Sequence, residues 1–166
     1  MPCFQFSVRR AGLLDTEKIA LAHVDSIHSQ GGKWYGDDVV AVWGAPRDGT
    51  RYSTAMKAGE RFFVAVSPGD SAEDVLGFSS YRIESGKHRI AVYVRGRAAR
   101  HGVGTSLFKA AEDVARERQA REIHVDASLG AVEFYRTQGF AELESGTHVL
   151  RGGTMMACVF MRKFLL

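Results

Sequence analysis

The sequence has few cysteines and no apolar run long enough to cross a membrane. Its only two cysteines, Cys3 and Cys158, stand near opposite ends of the 166 residues, so they suggest neither a disulfide framework nor a metal knuckle. His23 and His28 miss the i, i+4 spacing that puts two metal ligands on one helix face. No basic region followed by an apolar core opens the chain. We therefore expect a cytoplasmic protein without a metal site or a membrane partner.

Charge is also not concentrated in any one block of the sequence. The formal net charge is only +3, with 45% hydrophobic and 25% charged residues, which is the balance of an ordinary soluble globular protein. Such a mildly basic chain suits an anionic ligand and gives little reason to expect nucleic acid as a partner. The length predicts a single domain over 1–166.

Hydrophobic periodicity predicts one α/β domain built on a mixed sheet. Strands are predicted at 4–11, 61–67, 75–83, 88–94, 121–127, 140–146 and 154–165. Helices are predicted at 13–29, with Asp15 or Thr16 as its N-cap, and at 37–43, 51–57, 104–119 and 129–138. Turns at 68–74 and 84–87 join three successive antiparallel strands. The glycine- and aromatic-rich residues 30–59 are the least regular part.

The stretch RHGVGTSLF, residues 100–108, places two glycines between a strand and a helix. A dinucleotide fingerprint is one interpretation, and Asp126 follows at a suitable distance, but Leu107 occupies the third glycine position and antiparallel strands precede it. A P-loop would need a lysine that is absent. A helix N-terminus that binds a phosphate through free amides fits better.

An ordinary tight turn is the alternative for Gly102 and Gly104. Arg95, Arg97 and Arg100 favour an anion, because three guanidinium groups within six residues repel one another unless negative charge is near.

Two segments together resemble the GCN5-related N-acetyltransferase (GNAT) superfamily. They are VYVRGRAARHGVGTSLFKAAEDVA and, after it, IHVDASLGAVEFYRTQGF. The family signature runs strand, Gln/Arg-x-x-Gly-x-Gly/Ala, helix, strand, and a second helix ending in Phe-Tyr…Gly-Phe. The matching residues are Gly102, Gly104, Phe134, Tyr135, Gly139 and Phe140. Ala99 departs from the signature, since it stands where the family has glutamine or arginine.

The resemblance implies a mostly antiparallel sheet of six to seven strands, flanked by helices, in which the parallel strands 88–94 and 121–127 splay apart. It implies acetyl-CoA as co-substrate and direct acetyl transfer, in a ternary complex, to a primary amine of a small molecule or peptide. The pantetheine arm is expected to pair with the free edge of the first splayed strand, and the pyrophosphate to lie on the amides of residues 100–105. The cofactor-binding residues implied are Val92, Tyr93, Val94, Arg97, Arg100, His101, Gly102, Val103, Gly104, Thr105, Ser128, Ala131 and Phe134.

Two proton transfers complete the implied mechanism. Tyr135 matches the tyrosine that donates to the departing thiolate, with packing against its aromatic neighbours as the alternative. His88 is our candidate for the base that deprotonates the amine, because the pKa of free histidine lies near neutral pH. Glu84, Asp25, His28, His148 and ordered water remain open for that role.

The acceptor site is expected from residues 29–58 and the loop 146–153, with Trp34 and Tyr35 against the amine. Packing is the alternative role for the aromatic residues, and a homodimer contact is the alternative for the loop. An acyl-CoA sensor without catalysis competes with the enzyme, favoured by Ala99.

Overall fold

A computed structural model describes residues 3–69 and 74–166, and in these ranges seven strands form one sheet. In chain order the strands are β1 (Ser7–Arg10), β2 (Arg61–Val66), β3 (Val75–Glu84), β4 (Lys87–Val94), β5 (Glu122–Ser128), β6 (Ala141–Val149) and β7 (Met155–Phe164). The helices are α1 (Thr16–Gln30), α2 (Asp37–Trp43), α3 (Thr50–Lys57), α4 (Val103–Glu117) and α5 (Val132–Thr137). No helix in these ranges combines the length and apolarity that a membrane span requires.

The strands lie in the order β1-β2-β3-β4-β5-β7-β6, and every neighbouring pair except β4–β5 is antiparallel. The predicted mixed, mostly antiparallel sheet is therefore confirmed. Within the described ranges, β4 and β5 pair in register only at Arg89 and His124. Their C-terminal halves are consequently not joined by a ladder, which is the expected splay.

Element boundaries differ from the predictions at a few places. The first strand is shorter than expected, and a 3-10 turn at Leu129–Ala131 precedes α5, so this helix begins three residues late. β6 runs on to Val149. Part of the turn expected at 68–74 lies outside the described residues.

Two apolar layers cover the sheet, one on each face. On one face, α4 lays Val103, Leu107, Ala111 and Val114 against the strands, all at most 4% exposed and spaced by three or four residues. A fully buried side chain such as Leu107 contributes roughly 1.5–3 kcal/mol. On the other face, α1 and α3 pack a second cluster over β2 and β3.

Asp15 is the N-cap residue of α1, one of the two predicted, but its carboxylate binds groups outside the helix. Its carboxylate accepts hydrogen bonds from the Gly12 N–H at 2.8 Å and from both Arg9 terminal nitrogens at 2.8 and 2.9 Å. No side-chain cap bond joins Asp15 to α1. The Arg9 guanidinium holds the pKa of the Asp15 carboxyl below its ordinary value.

Candidate active site

A cleft of about 510 Å³ opens where β4 and β5 separate. It extends from the N-terminus of α4 across the start of α5 to the segment that follows α1. Twelve of the residues predicted from the sequence line it: Trp34, Tyr35, Val92, Tyr93, Val94, Arg100, Gly102, Gly104, Thr105, Ser128, Ala131 and Phe134. Residues from four separate parts of the chain are thus brought to one concave surface.

The two glycines between β4 and α4 are required for different structural reasons. Gly102 is the N-cap of α4 with a left-handed backbone (φ +80°), and a Cβ there would meet open space. Gly104 lies inside the helix, where a Cβ would come within 3.2 Å of the Phe134 ring. Gly102 therefore permits the turn, whereas Gly104 permits close packing of α4 against α5.

The N-terminus of α4 offers unused hydrogen-bond donors to the cleft. None of the backbone N–H groups of residues 102–105 donates to an acceptor in the described part of the chain. Such groups, together with the helix dipole, favour an anion. The helix is fifteen residues long, so its dipole is fully developed.

Only one of the three arginines in the preceding loop lines the cleft. Arg95 donates to the Val75 carbonyl oxygen at 2.7 Å and lies 4.0 Å from Asp25, and Arg97 forms an ion pair with Asp74. Arg100 lines the cleft and has no ion pair within the described residues. The repulsion argument from the sequence is therefore wrong for two arginines, because carboxylates of the protein itself balance them.

Four predicted residues lie away from the cleft lining. His101 stacks on Phe4, with ring centroids 4.2 Å apart, Arg97 is paired as described, and Val103 is 1% exposed in the core. His88 stands near the start of β4, the end opposite to the cleft, where its Nδ1 lies 2.6 Å from the hydroxyl of Tyr81. The structure does not bring His88 to the other site residues.

Tyr135 is buried immediately behind the cleft. It is 5% exposed and packs edge-on against Phe134 and Phe140. Burial raises the pKa of the phenol above its ordinary value, and a hydrogen bond with the backbone of Val92 acts in the opposite direction. The hydroxyl therefore lies beside β4 at the edge of the splay, in its protonated form.

Tyr35 ties the wall of the cleft together. Its hydroxyl donates to the Ala157 carbonyl oxygen at 2.7 Å and accepts from the Leu129 N–H at 2.8 Å, so it joins the end of β5 to β7. Trp43 contacts the Tyr35 ring edge-on. Trp34 is 54% exposed and covers Gly130, where a Cβ would come within 2.8 Å of the indole.

The sequence analysis named Glu84 and His148 as candidates for the base, but it did not predict that they meet Arg89 and Asp126 in one polar cluster on the neighbouring part of the sheet. Asp126 forms an ion pair with Arg89, and the Nε2 atom of His148 lies 3.3 Å from its carboxylate. Arg89 also contacts Glu84 at 3.1 Å. Burial raises the pKa of the Cys158 thiol, and the negative charge of Asp126 adds to this. The sequence did hold one signal for the position of Asp126. Side chains alternate along a strand, so Asp126 lies on the same face as Ser128, which was already predicted to bind the cofactor.

Comparison with known proteins gives a consistent result. The chain matches the acetyltransferase (GNAT) domain family over residues 35–156. It is similar to the crystal structure of a GCN5-related N-acetyltransferase from Rhodopseudomonas palustris, with 26% identity, 99% of both chains covered and a TM-score of 0.84. No curated protein matches the sequence significantly.

Two more distant structures share the fold. The PaiA N-acetyltransferase from Thermoplasma acidophilum, solved with coenzyme A, is 16% identical with a TM-score of 0.70, covering 97% of this chain and 99% of its own. A phosphinothricin acetyltransferase from Sinorhizobium meliloti, solved with acetyl-CoA, is 17% identical with a TM-score of 0.71, covering 96% and 88%.

Proposed function

Because the chain belongs to the GNAT acetyltransferase family, we propose that it transfers the acetyl group of acetyl-CoA directly to a primary amine of a small molecule or peptide. The observation that carries the proposal is the cleft that ends on the unpaired amides of α4. Structures related by fold bind coenzyme A and acetyl-CoA, which supports the same ligand here.

The residues of the cleft fit the pyrophosphate of coenzyme A. The free N–H groups of residues 102–105 belong to the turn of α4 whose Gly102, Gly104 and Thr105 line one end of the cleft, and they supply donors for phosphate oxygens. Arg100, without an ion pair in the described residues, adds a positive charge beside them. Gly102 keeps this approach open, because no side chain stands there.

The free edge of β4 fits the amide-rich pantetheine arm. The N–H of Val92 faces the gap, since it lies within hydrogen-bonding range of the Tyr135 phenol. N–H groups on a strand alternate in direction, so that of Val94 faces the gap as well. An extended ligand can add to this edge as an extra strand would.

Four groups of the protein assist attack of the amine on the thioester carbonyl carbon of acetyl-CoA. A β4 amide at the gap polarises the carbonyl oxygen by donating a hydrogen bond. Tyr135 holds its proton, because burial raises its pKa, and it donates a hydrogen bond to the sulfur as negative charge develops there. Trp34 and Tyr35 form the wall against which the amine is held.

Release of free thiol from acetyl-CoA across a panel of amines tests the proposal. We expect turnover with at least one amine, and a rise in thermal stability with coenzyme A but not with NAD. Ligand at a hundredfold excess over its Kd adds about 2.7 kcal/mol. Stabilisation by NAD and not by coenzyme A would overturn the assignment.

Tyr135→Phe tests the donor at the sulfur. We expect kcat to fall about 10²-fold, as for the loss of a general acid, while the KM for acetyl-CoA stays nearly constant. Tyr81→Phe removes the hydroxyl of another buried tyrosine on the same face of the sheet and serves as the matched control. Equal kcat values for the wild type and Tyr135→Phe would show that Tyr135 only packs against its neighbours and does not donate to the sulfur.

An acyl-CoA sensor is the second candidate, because apolar Ala99 lines the cleft where the family carries a polar residue. Coenzyme A binding without thiol release over the whole amine panel is the result that would favour it.

A further inference from the structure

Four ionisable side chains meet where β4 and β5 begin to separate, and the proposed chemistry above uses none of them. Asp126 is paired with Arg89 across the two strands, and Glu84 lies on the far side of Arg89. His148 reaches the same Asp126 carboxylate from β6. Asp126 is 18% exposed and His148 is 49% exposed, measured over their side chains. The carboxylate of Asp126 is therefore mostly shielded from solvent, whereas the imidazole of His148 is half-exposed.

The cluster adjoins the inner end of the cleft. Asp126 and Ser128 are two residues apart on β5 and face the same side of the sheet, and Ser128 lines the cleft. Tyr35, also in the lining, bonds to the backbone of Leu129 and of Ala157 beside it. An amine held against Tyr35 is therefore a neighbour of the cluster.

From this geometry we propose that His148, held by Asp126, is the proton acceptor for the amine substrate. The proposal rests on the acetyltransferase function above and names a residue for its unassigned proton-transfer step. His148 stands on the hairpin formed by β6 and β7, within the region expected from the sequence to border the acceptor.

The other five histidines are engaged elsewhere. His23 is 6% exposed and bonds to Tyr52, and His101 stacks on Phe4. His28, His88 and His124 contact the Gly44 carbonyl oxygen, the Tyr81 hydroxyl and the Glu122 carboxylate. Among the contacts of the described residues, only those of His148 combine solvent access with a partly buried carboxylate, Asp126, that lies two residues from Ser128 of the cleft lining.

Asp126 fixes which imidazole nitrogen takes the proton. The Nε2 atom faces the carboxylate at 3.3 Å, so in the neutral ring Nε2 carries the hydrogen and Nδ1 keeps its lone pair. The charged group on the other side of Asp126 is Arg89, which faces Glu84 in turn. Cys158 and Tyr35 also border the site, and burial raises the pKa of both, so they stay uncharged.

The step balances in protons and bonds. A protonated amine gives one proton to Nδ1 of His148, and the exposed imidazolium returns it to water. The nitrogen lone pair then forms the C–N bond with the thioester carbon, and the C–S bond breaks. The second amine proton leaves as the amide forms, and one proton joins the departing sulfur to give the thiol of coenzyme A. The products are the acetamide, coenzyme A and the one proton that His148 released to water.

His148→Gln tests this assignment, with His124→Gln as the matched control because His124 also pairs with a carboxylate, at 2.8 Å. For the best alkylamine of the panel we expect kcat/KM to fall 10²- to 10⁴-fold in His148→Gln, with the thermal shift by coenzyme A unchanged. Methoxyamine, a primary amine of low basicity, is largely unprotonated at neutral pH, and its rate should fall less than tenfold. In His148→Gly, added imidazole should restore part of the alkylamine rate.

The outcomes separate this inference from the function on which it rests. A wild type that binds coenzyme A and acetylates no amine would overturn both. Turnover in His148→Gln within threefold of wild type would overturn only the role of His148. Equal losses for the alkylamine and for methoxyamine without rescue by imidazole would show that His148 has a structural role and would also overturn the inference. An equal loss in His124→Gln would do the same.

Discussion

Replacing each of the two loop glycines by alanine should separate stability from ligand affinity. At Gly102 the backbone is left-handed (φ +80°) and the space is open, so the cost of alanine is backbone strain of about 1–2 kcal/mol. For a chain of this length, each kcal/mol lowers Tm by about 2–4 °C. Gly102→Ala should therefore lower Tm by roughly 2–8 °C, measured by circular dichroism during heating.

Gly104→Ala should instead weaken coenzyme A binding. Its Cβ would stand 3.2 Å from the Phe134 ring, so that ring must move within the wall of the cleft. Alanine is favoured over glycine in a helix by roughly 0.5–1 kcal/mol, which offsets the crowding and leaves Tm within about 2 °C of wild type. We expect about a tenfold rise in the Kd for coenzyme A, or about 1.4 kcal/mol, by isothermal titration calorimetry.

Gly102→Asn is the control for the strain argument, because asparagine tolerates the left-handed conformation better than alanine. It should recover part of the Tm lost in Gly102→Ala. The reasoning is refuted if the Tm of Gly102→Ala equals that of the wild type, or if Gly104→Ala binds coenzyme A with unchanged affinity.

Three further predictions follow from single contacts. Arg100→Ala should weaken coenzyme A binding several-fold and reduce its salt dependence, whereas Arg97→Ala should change affinity little; titrations at two salt concentrations compare them. Tyr35→Phe removes two hydrogen bonds worth about 1 kcal/mol each and should lower Tm by about 4–8 °C. A Tm equal to that of the wild type would contradict the role of the Tyr35 hydroxyl in joining β5 to β7. Asp15→Asn should destabilise the protein by about 1–3 kcal/mol at pH 7. Because Arg9 lowers the pKa of Asp15, that difference should begin to shrink below about pH 4, the ordinary pKa of a carboxyl, and should vanish only below the lowered pKa of the folded protein. Denaturant titrations at pH 7 and at a series of more acidic pH values can measure it.

The order of elements was readable from the sequence because local signals specify it. Strand alternation, the amphipathic pattern of α4 and the glycine at its start are properties of neighbouring residues. The splay of β4 and β5 was expected only through the family resemblance. No local pattern states that two adjacent strands stop pairing after one residue pair.

Side-chain direction and long-range charge pairing were not readable in the same way. Tyr81 and Ile90 both belong to the core cluster that α4 covers, and His88 shares that face by strand alternation. This orientation depends on the register of the hairpin. The partners of Arg95 and Arg97 lie on α1 and just before β3. Asp126 and His148 stand on strands separated by β7, so their contact depends on how the β6–β7 hairpin bends over the sheet.

The single registered pair between β4 and β5 gives the sheet a hinge at its centre. Strands β1–β4 form one leaf and strands β5, β7 and β6 form the other, joined in the sheet by that pairing and by the ion pair of Arg89 with Asp126. A ligand lying along the gap touches both leaves and takes the place of the missing ladder. On the function that we propose, cohesion of the two leaves should therefore rise with cofactor concentration, and the acceptor side should be assembled most firmly when the acetyl donor is already bound.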